Sequence, residues 1–110
     1  MLRHGSEILA DALRVNGVGH VFHVPGESFL SVLDALGRRH PEAIRCITAR
    51  HENGAVLMAE AQGKLTGRPG VAFVTRSPGA TNAVNAVHTA FQDSTPLIVF
   101  VGQVKRALME

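Results

Sequence analysis

The residues of this chain whose types and spacing could do chemistry fall into a few short segments. Glu52 stands in the first turn of a helix pattern, just past a strand end, in the run Arg50-His51-Glu52-Asn53-Gly54-Ala55. A carboxylate there has two readings. It can complement the helix dipole, a common role worth a fraction of a kcal/mol. It can also be held in a cleft for proton transfer or a charge-assisted hydrogen bond. Glu27 follows the Pro25-Gly26 turn and is ambiguous in the same way. Asn82 lies in the first turn after Pro78-Gly79, where an amide can cap backbone or bind a ligand. Arg50 and His51 read as solvated side chains.

Other motifs carry less. Gly17-Val18-Gly19 opens like a dinucleotide fingerprint, but Phe22 stands where the third glycine belongs, and the glycines precede a strand instead of following one. Gly63-Lys64-Leu65-Thr66 lacks the Ser/Thr directly after Lys that a phosphate loop needs. Six histidines invite a metal reading. His20 and His23, however, fall on opposite faces of a strand, and His4, His40 and His88 read as surface residues. The single Cys46 lies in a strand pattern and reads as a small core residue. One cysteine excludes an internal disulfide and a multi-cysteine zinc site, and it points to a reduced, cytoplasmic setting.

The elements that must position these residues alternate between helix and strand periods. Ser6 is placed to cap a first helix with an apolar face of Ile8, Leu9, Ala12 and Leu13, and Gly17 suits the position after its end. His20 to Val24 reads as a strand closed by Pro25-Gly26. Ser28 is placed to cap a second helix, with Phe29, Val32, Leu33 and Leu36 on one face and Pro41 beyond it. Ala43 to Thr48 is the next strand, and residues 52–65 the next helix, where Ala55, Val56 and Ala59 allow close approach to a sheet. Gly67-Arg68-Pro69-Gly70 turns into the apolar strand Val71 to Val74. Ala80, Ala83, Val84, Val87 and Phe91 form a last helical stripe, and Leu97 to Val101 reads as the most buried strand.

This αβαβαβαβ order predicts an α/β fold, a three-layer α/β/α arrangement around a parallel sheet with right-handed crossovers. Ligands of such sheets bind beyond the carboxyl ends of the strands. Glu27, Glu52, Pro78 and Asn82 all lie in or just after those segments. The chain has 110 residues, enough for one domain, and its 45% hydrophobic and 18% charged residues argue against disorder. No apolar run approaches the roughly 18 residues of a membrane span. Eleven Lys and Arg face nine Asp and Glu, the basic residues are scattered, and Trp and Tyr are absent. Neither a basic face nor a stacking platform for nucleic acid is present in that pattern.

The segments His23-Val24-Pro25-Gly26-Glu27, Arg50-His51-Glu52-Asn53-Gly54-Ala55, Gly70-Val71-Ala72-Phe73-Val74-Thr75, Ser77-Pro78-Gly79-Ala80-Thr81-Asn82 and Asp93-Ser94-Thr95-Pro96-Leu97 follow one another in a familiar order and spacing. Over nearly its whole length the chain resembles the N-terminal pyrimidine-binding domain of thiamine-diphosphate-dependent enzymes, in the acetolactate synthase, pyruvate oxidase and benzoylformate decarboxylase group. The resemblance implies that Glu52 hydrogen-bonds N1′ of the cofactor's aminopyrimidine. That bond favours the imino tautomer that takes the C2 proton before attack on a 2-keto acid, which is then decarboxylated and joined to an acceptor. It implies that Pro25, Gly26, Pro78 and Asn82 lie near the pyrimidine and that Glu27 lies on the substrate side.

There are departures from the family pattern. Arg76 and Ser77 stand where relatives often have small residues and glycine. Arg76 would either favour an anionic substrate or block the pocket. Residues 1–110 then correspond to part of the pyrimidine domain. Its C-terminal part, and the diphosphate-binding domain that carries Mg²⁺, are expected on the same or another chain. FAD accompanies the cofactor in some full-length relatives. The partners implied are that second domain, a 2-keto acid and further copies of the chain in a homo-oligomer. The competing reading is a non-catalytic α/β module that acts only in association.

Overall fold

A computed structural model describes residues 1–109. Helix α1 (Gly5–Val15) leads into strand β1 (His20–His23), followed by α2 (Leu30–Arg39) and β2 (Arg45–Thr48). Then come α3 (Glu52–Thr66), β3 (Gly70–Val74), the short α4 (Ser77–Asn82), α5 (Val84–Asp93) and β4 (Leu97–Val101). The strands form one parallel sheet in the order β2-β1-β3-β4. Chain direction across the sheet therefore reverses between β1 and β3, the switch point at which such sheets open a crevice.

Side chains alternate between two cores, as the strand period of two requires. Val21, Val71 and Phe73 pack with Leu13, Phe29, Val32 and Leu36 against α1 and α2. Phe22, Ala72 and Val74 pack with Val56, Ala59, Ala83 and Ala86 on the other face, under α3 and α5. The expected small-residue face of α3 is there: Ala55, Val56 and Ala59 are fully buried. It lets α3 sit so close to the sheet that a Cβ on Gly70 would overlap the Ala59 carbonyl. Gly17 has a φ of 77°, the left-handed conformation that glycine adopts without a Cβ penalty.

Several sequence expectations are corrected. Helix α1 starts at Gly5 after His4, so Ser6 lies inside the first turn, and the His4 backbone N–H donates to Glu7. Its buried residues are Ala10 and Leu13, while Ile8 and Ala12 are exposed. The strand-like run after Pro41 begins at Arg45, and β1 stops at His23. Cys46 is exposed because β2 is an edge strand. Strand β4 is only half-buried, also from its place at an edge, and β3 is the strand buried along its whole length. The last helical stripe is two helices that meet at Ala83. The inward residues there are Ala83, Ala86 and Ala90, whereas Val84, Val87 and Phe91 face outward, Phe91 with 81% of its surface exposed.

His40 is half-buried and not a free surface residue: its Nε2 lies 2.7 Å from Asp11 Oδ1. Arg39 donates to the same carboxylate from two nitrogens, at 2.9 and 2.7 Å, and Arg3 joins them. The Arg39 and His40 hydrogen bonds hold the Asp11 carboxyl far below the usual carboxylate range. This cluster ties α1 to the end of α2, on the opposite side of the first core from the strand ends.

Candidate functional site

The loops that leave β1, β2 and β3 converge beyond the carboxyl end of the sheet. After β1 the chain passes through Pro25 and Gly26 into a 3-10 turn, Glu27–Phe29. Phe29 closes that turn by inserting into the first core, at 3% exposure. Pro25 and Glu27 are exposed and Gly26 is half-buried. Ser28 does not cap α2. Its hydroxyl instead lies 2.8 Å from that of Thr75, the residue directly after β3.

Glu52 is the first residue of α3, placed there because β2 ends at Thr48 and His51 caps the helix. His51 Nδ1 accepts from the Asn53 backbone N–H at 3.1 Å, so this side chain has a structural task that its solvated appearance in sequence concealed. The cap turns the helix inward, and Glu52 is 9% exposed. Its Oε1 accepts from Asn82 Nδ2 at 3.2 Å. No cation lies within ion-pairing distance of it among the described residues. Asn82 reaches it from the last residue of α4, whose start is set by Ser77-Pro78, with proline in the first turn where its missing N–H costs nothing. Pro78 is exposed.

Gly26 and Gly79 are held by close packing within the chain. A Cβ on Gly26 would stand 2.7 Å from Thr75 Cβ. A Cβ on Gly79 would stand 2.7 Å from Thr75 Cγ2 and 3.2 Å from Glu52 Oε2. The structure thus joins Glu52, Asn82, Gly79, Thr75 and Gly26 in one run of contacts. It does not bring Glu27 into hydrogen-bond contact with them. Thr75 and Ser28, which the sequence reading does not single out as site residues, join this run of contacts. Their signal was faint: hydroxyl side chains flanking a strand end read more simply as caps and turn residues.

Two further groups flank this region. His23, at the end of β1, is 4% exposed, its Nε2 lies 3.3 Å from Thr48 Oγ1, and burial lowers its pKa. It faces the first core beside Phe29, while His20 faces the other side beside Phe22, so the two do not form a pair. A concavity of about 540 Å³ lies at the opposite ends of the strands. Leu13, Val18, Val71, Ile98 and Phe100 line it, and it holds no carboxylate. The strand-end loops hold the acid, the amide and the tight turns together, at the other end of the sheet from that concavity.

Residues 3–110 match the family model described as "Thiamine pyrophosphate enzyme, N-terminal TPP binding domain". The chain is 45% identical over 103 residues to acetolactate synthase of Bacillus subtilis (strain 168), covering 94% of this chain and 18% of that protein. It is 40% identical over 105 residues to the acetolactate synthase large subunit of Buchnera aphidicola subsp. Acyrthosiphon pisum (strain APS), covering 96% and 18%. It is 44% identical over 100 residues to the mitochondrial acetolactate synthase catalytic subunit of Aspergillus candidus, covering 91% and 14%. The chain spans less than a fifth of the length of these relatives.

Proposed function

The chain belongs to the family of N-terminal TPP-binding domains of thiamine pyrophosphate enzymes, and we propose that it is the pyrimidine-binding half of an acetolactate synthase-like 2-keto acid decarboxylase and carboligase. The observation that carries this reading is a buried carboxylate, Glu52, with an amide partner and no cation. That donor set fits an aminopyrimidine. A ring nitrogen can share a proton with a carboxyl group whose charge is not already committed to a lysine or arginine.

Thiamine diphosphate, when bound, supplies carbanion chemistry at its thiazolium C2. Glu52 then holds a proton at the ring nitrogen, as the catalytic residue of this half. Asn82 orients the carboxyl group from the side. Pro25, Gly26 and Pro78 form the turns that flank the ring, and Glu27, exposed on the 3-10 turn, faces the substrate side. Arg76, exposed at the start of α4, favours an anionic substrate. Residues 1–110 are read as part of the pyrimidine domain, completed by a diphosphate-binding domain of the same or another chain. That second domain carries the Mg²⁺. Among the described residues no group of three or more His, Cys, Asp or Glu converges on a metal position.

No helix among the described residues is long and apolar enough to cross a membrane. The free thiol of Cys46 suits a cytoplasmic setting. The outward row of Val84, Val87 and Phe91 supports a homo-oligomer, because α5 spends its alanines on the core and presents its larger apolar groups to a neighbour. Light scattering should show association that Phe91→Ser weakens, and a clean monomer at high concentration would count against it.

Calorimetry tests the function. Alone, the chain should bind thiamine diphosphate no tighter than about millimolar, since half a cleft gains only ~4 kcal/mol. With a diphosphate-domain chain added, binding should tighten by at least tenfold, and Glu52→Gln should remove that gain. No gain with any such partner would favour a non-catalytic module.

A further inference from the structure

We infer that Thr75 is the positioning residue of the site: its side chain is the spacer between the Gly26 and Gly79 turns, and its methyl, which shares the gap beside Gly79 with the Glu52 carboxylate, sets where that carboxylate meets Asn82. The consequence for ligand binding rests on the reading of Glu52 given above, and the spacing itself does not.

Thr75 touches each part of the site from one fixed place. It follows β3, whose five residues are all buried, so its backbone is anchored in the most buried strand of the sheet. Its methyl Cγ2 fills the space that a Cβ on Gly79 would need, with a separation of 2.7 Å. Its Cβ stands in the same relation to Gly26, also at 2.7 Å. Its hydroxyl is held 2.8 Å from Ser28 Oγ, and Ser28 in turn is pressed against Gly102 at the end of β4. A β-branched side chain has few χ1 choices, and here the hydroxyl and the methyl are each engaged in a different direction. The side chain therefore cannot rotate out of the gap.

The same position, where a Cβ on Gly79 would stand, is also bordered by the Glu52 carboxylate, with Oε2 3.2 Å from it. The other oxygen accepts from Asn82. The Thr75 methyl and the Glu52 carboxylate thus border one gap that only a glycine at 79 leaves open, and a change in the width of that methyl alters the room in which the Glu52–Asn82 hydrogen bond is made. Site groups need supports locked by packing to within about half an ångström, and misplacement by about 1 Å can cost on the order of a hundredfold in rate.

The Asn82 side-chain amide reports on this spacing without any ligand. In ¹⁵N-edited NMR of the 110-residue chain, Glu52→Ala should move the Asn82 amide signals to the free-amide position and define the broken state. Thr75→Val keeps the branched shape and should leave them in place. Thr75→Ser removes the methyl and should move them at least half of the way. Gly79→Ala should move them as well. Combining Gly79→Ala with Thr75→Ser transfers the methyl from one side of the contact to the other and should bring the signals back towards the original position.

Unmoved signals in both folded single variants would overturn the inference, as would equal displacement by Thr75→Val and Thr75→Ser. If Thr75→Ser alone loses its dispersed spectrum, the comparison of Gly79→Ala with the double variant decides: recovery supports the spacer, and no recovery overturns it. A second readout is thiamine diphosphate affinity in the presence of a diphosphate-domain chain, expected to fall at least tenfold for Thr75→Ser and less than twofold for Thr75→Val. Should Asn82 respond as described while Glu52→Ala leaves that affinity unchanged, the spacer stands and the role given to Glu52 fails.

Discussion

Two glutamates on helix α3 are both buried, and their surroundings differ in one respect. Glu60, in the second half of the helix and 5% exposed, has Lys64 Nζ at 2.8 Å and accepts from the Thr95 hydroxyl at 2.9 Å. Glu52, at the start of the same helix and 9% exposed, has an amide partner and no cation. Lys64 and then Thr95 hold the Glu60 carboxyl below its ordinary range by hydrogen bonding to its charged form. Glu60 therefore joins α3 to the segment before β4, and its charge is already met by a cation through Oε1. The Glu52 carboxylate keeps capacity for a further partner. Burial alone does not distinguish a functional carboxylate from a structural one; the identity of the neighbours does.

The largest effect expected from this contrast is on proton chemistry. With the cofactor bound between this chain and a diphosphate domain, Glu52→Gln should slow hydrogen–deuterium exchange at C2 by about 10²-fold or more, the usual range for a lost acid–base group. Glu60→Gln should leave exchange within about threefold. Proton NMR after acid quench measures both. An unchanged exchange rate in Glu52→Gln removes that side chain from its role.

Stability should reverse the order. Glu60→Gln breaks the pairing with Lys64 and should lower the urea midpoint at neutral pH. Glu52→Gln should leave the midpoint unchanged or raise it, because residues kept for ligand binding often cost stability. The Glu60 effect should also depend on pH. Its folded pKa lies below the ordinary 4.5, so its contribution is fully present above that value and is lost as pH falls through the lowered folded value. The difference between the parent chain and Glu60→Gln should therefore narrow in urea titrations below about pH 4.5. A gap independent of pH would show that Glu60 contributes by packing and not by charge.

The smallest effect concerns how Glu52 is presented. His51→Ala removes the acceptor that caps α3 and should cost on the order of 0.5 kcal/mol, the low end for a lost cap. Thermal melts would show it, and an unchanged melting temperature in His51→Ala would contradict the capping role.

Much of this was legible in the residues. The element order followed from the spacing of apolar positions and from Pro25-Gly26, Gly67 to Gly70 and Pro78-Gly79, since periods and turn residues act over a few positions. Glu52 was singled out by its place after a strand. The roles of Thr75 and Ser28 were not legible, because each is defined by a partner far away in the chain. Nor was the outward turn of Val84, Val87 and Phe91. The same stripe of residues would serve equally well as a core face, and α5 packs through its alanines only because α3 comes so close.

By itself, then, the amino-acid order determined an alternating α/β chain, a parallel sheet and the carboxyl-end loops as the place for polar chemistry, because those properties depend on near neighbours. Tertiary structure alone decided which strands are edges, that Cys46 is exposed, and that Glu60 meets Lys64 and Thr95 while Glu52 accepts a hydrogen bond from Asn82. Solvent exposure and the electrostatic partner of a buried charge are set by elements brought together from distant parts of the chain, and no local pattern encodes them.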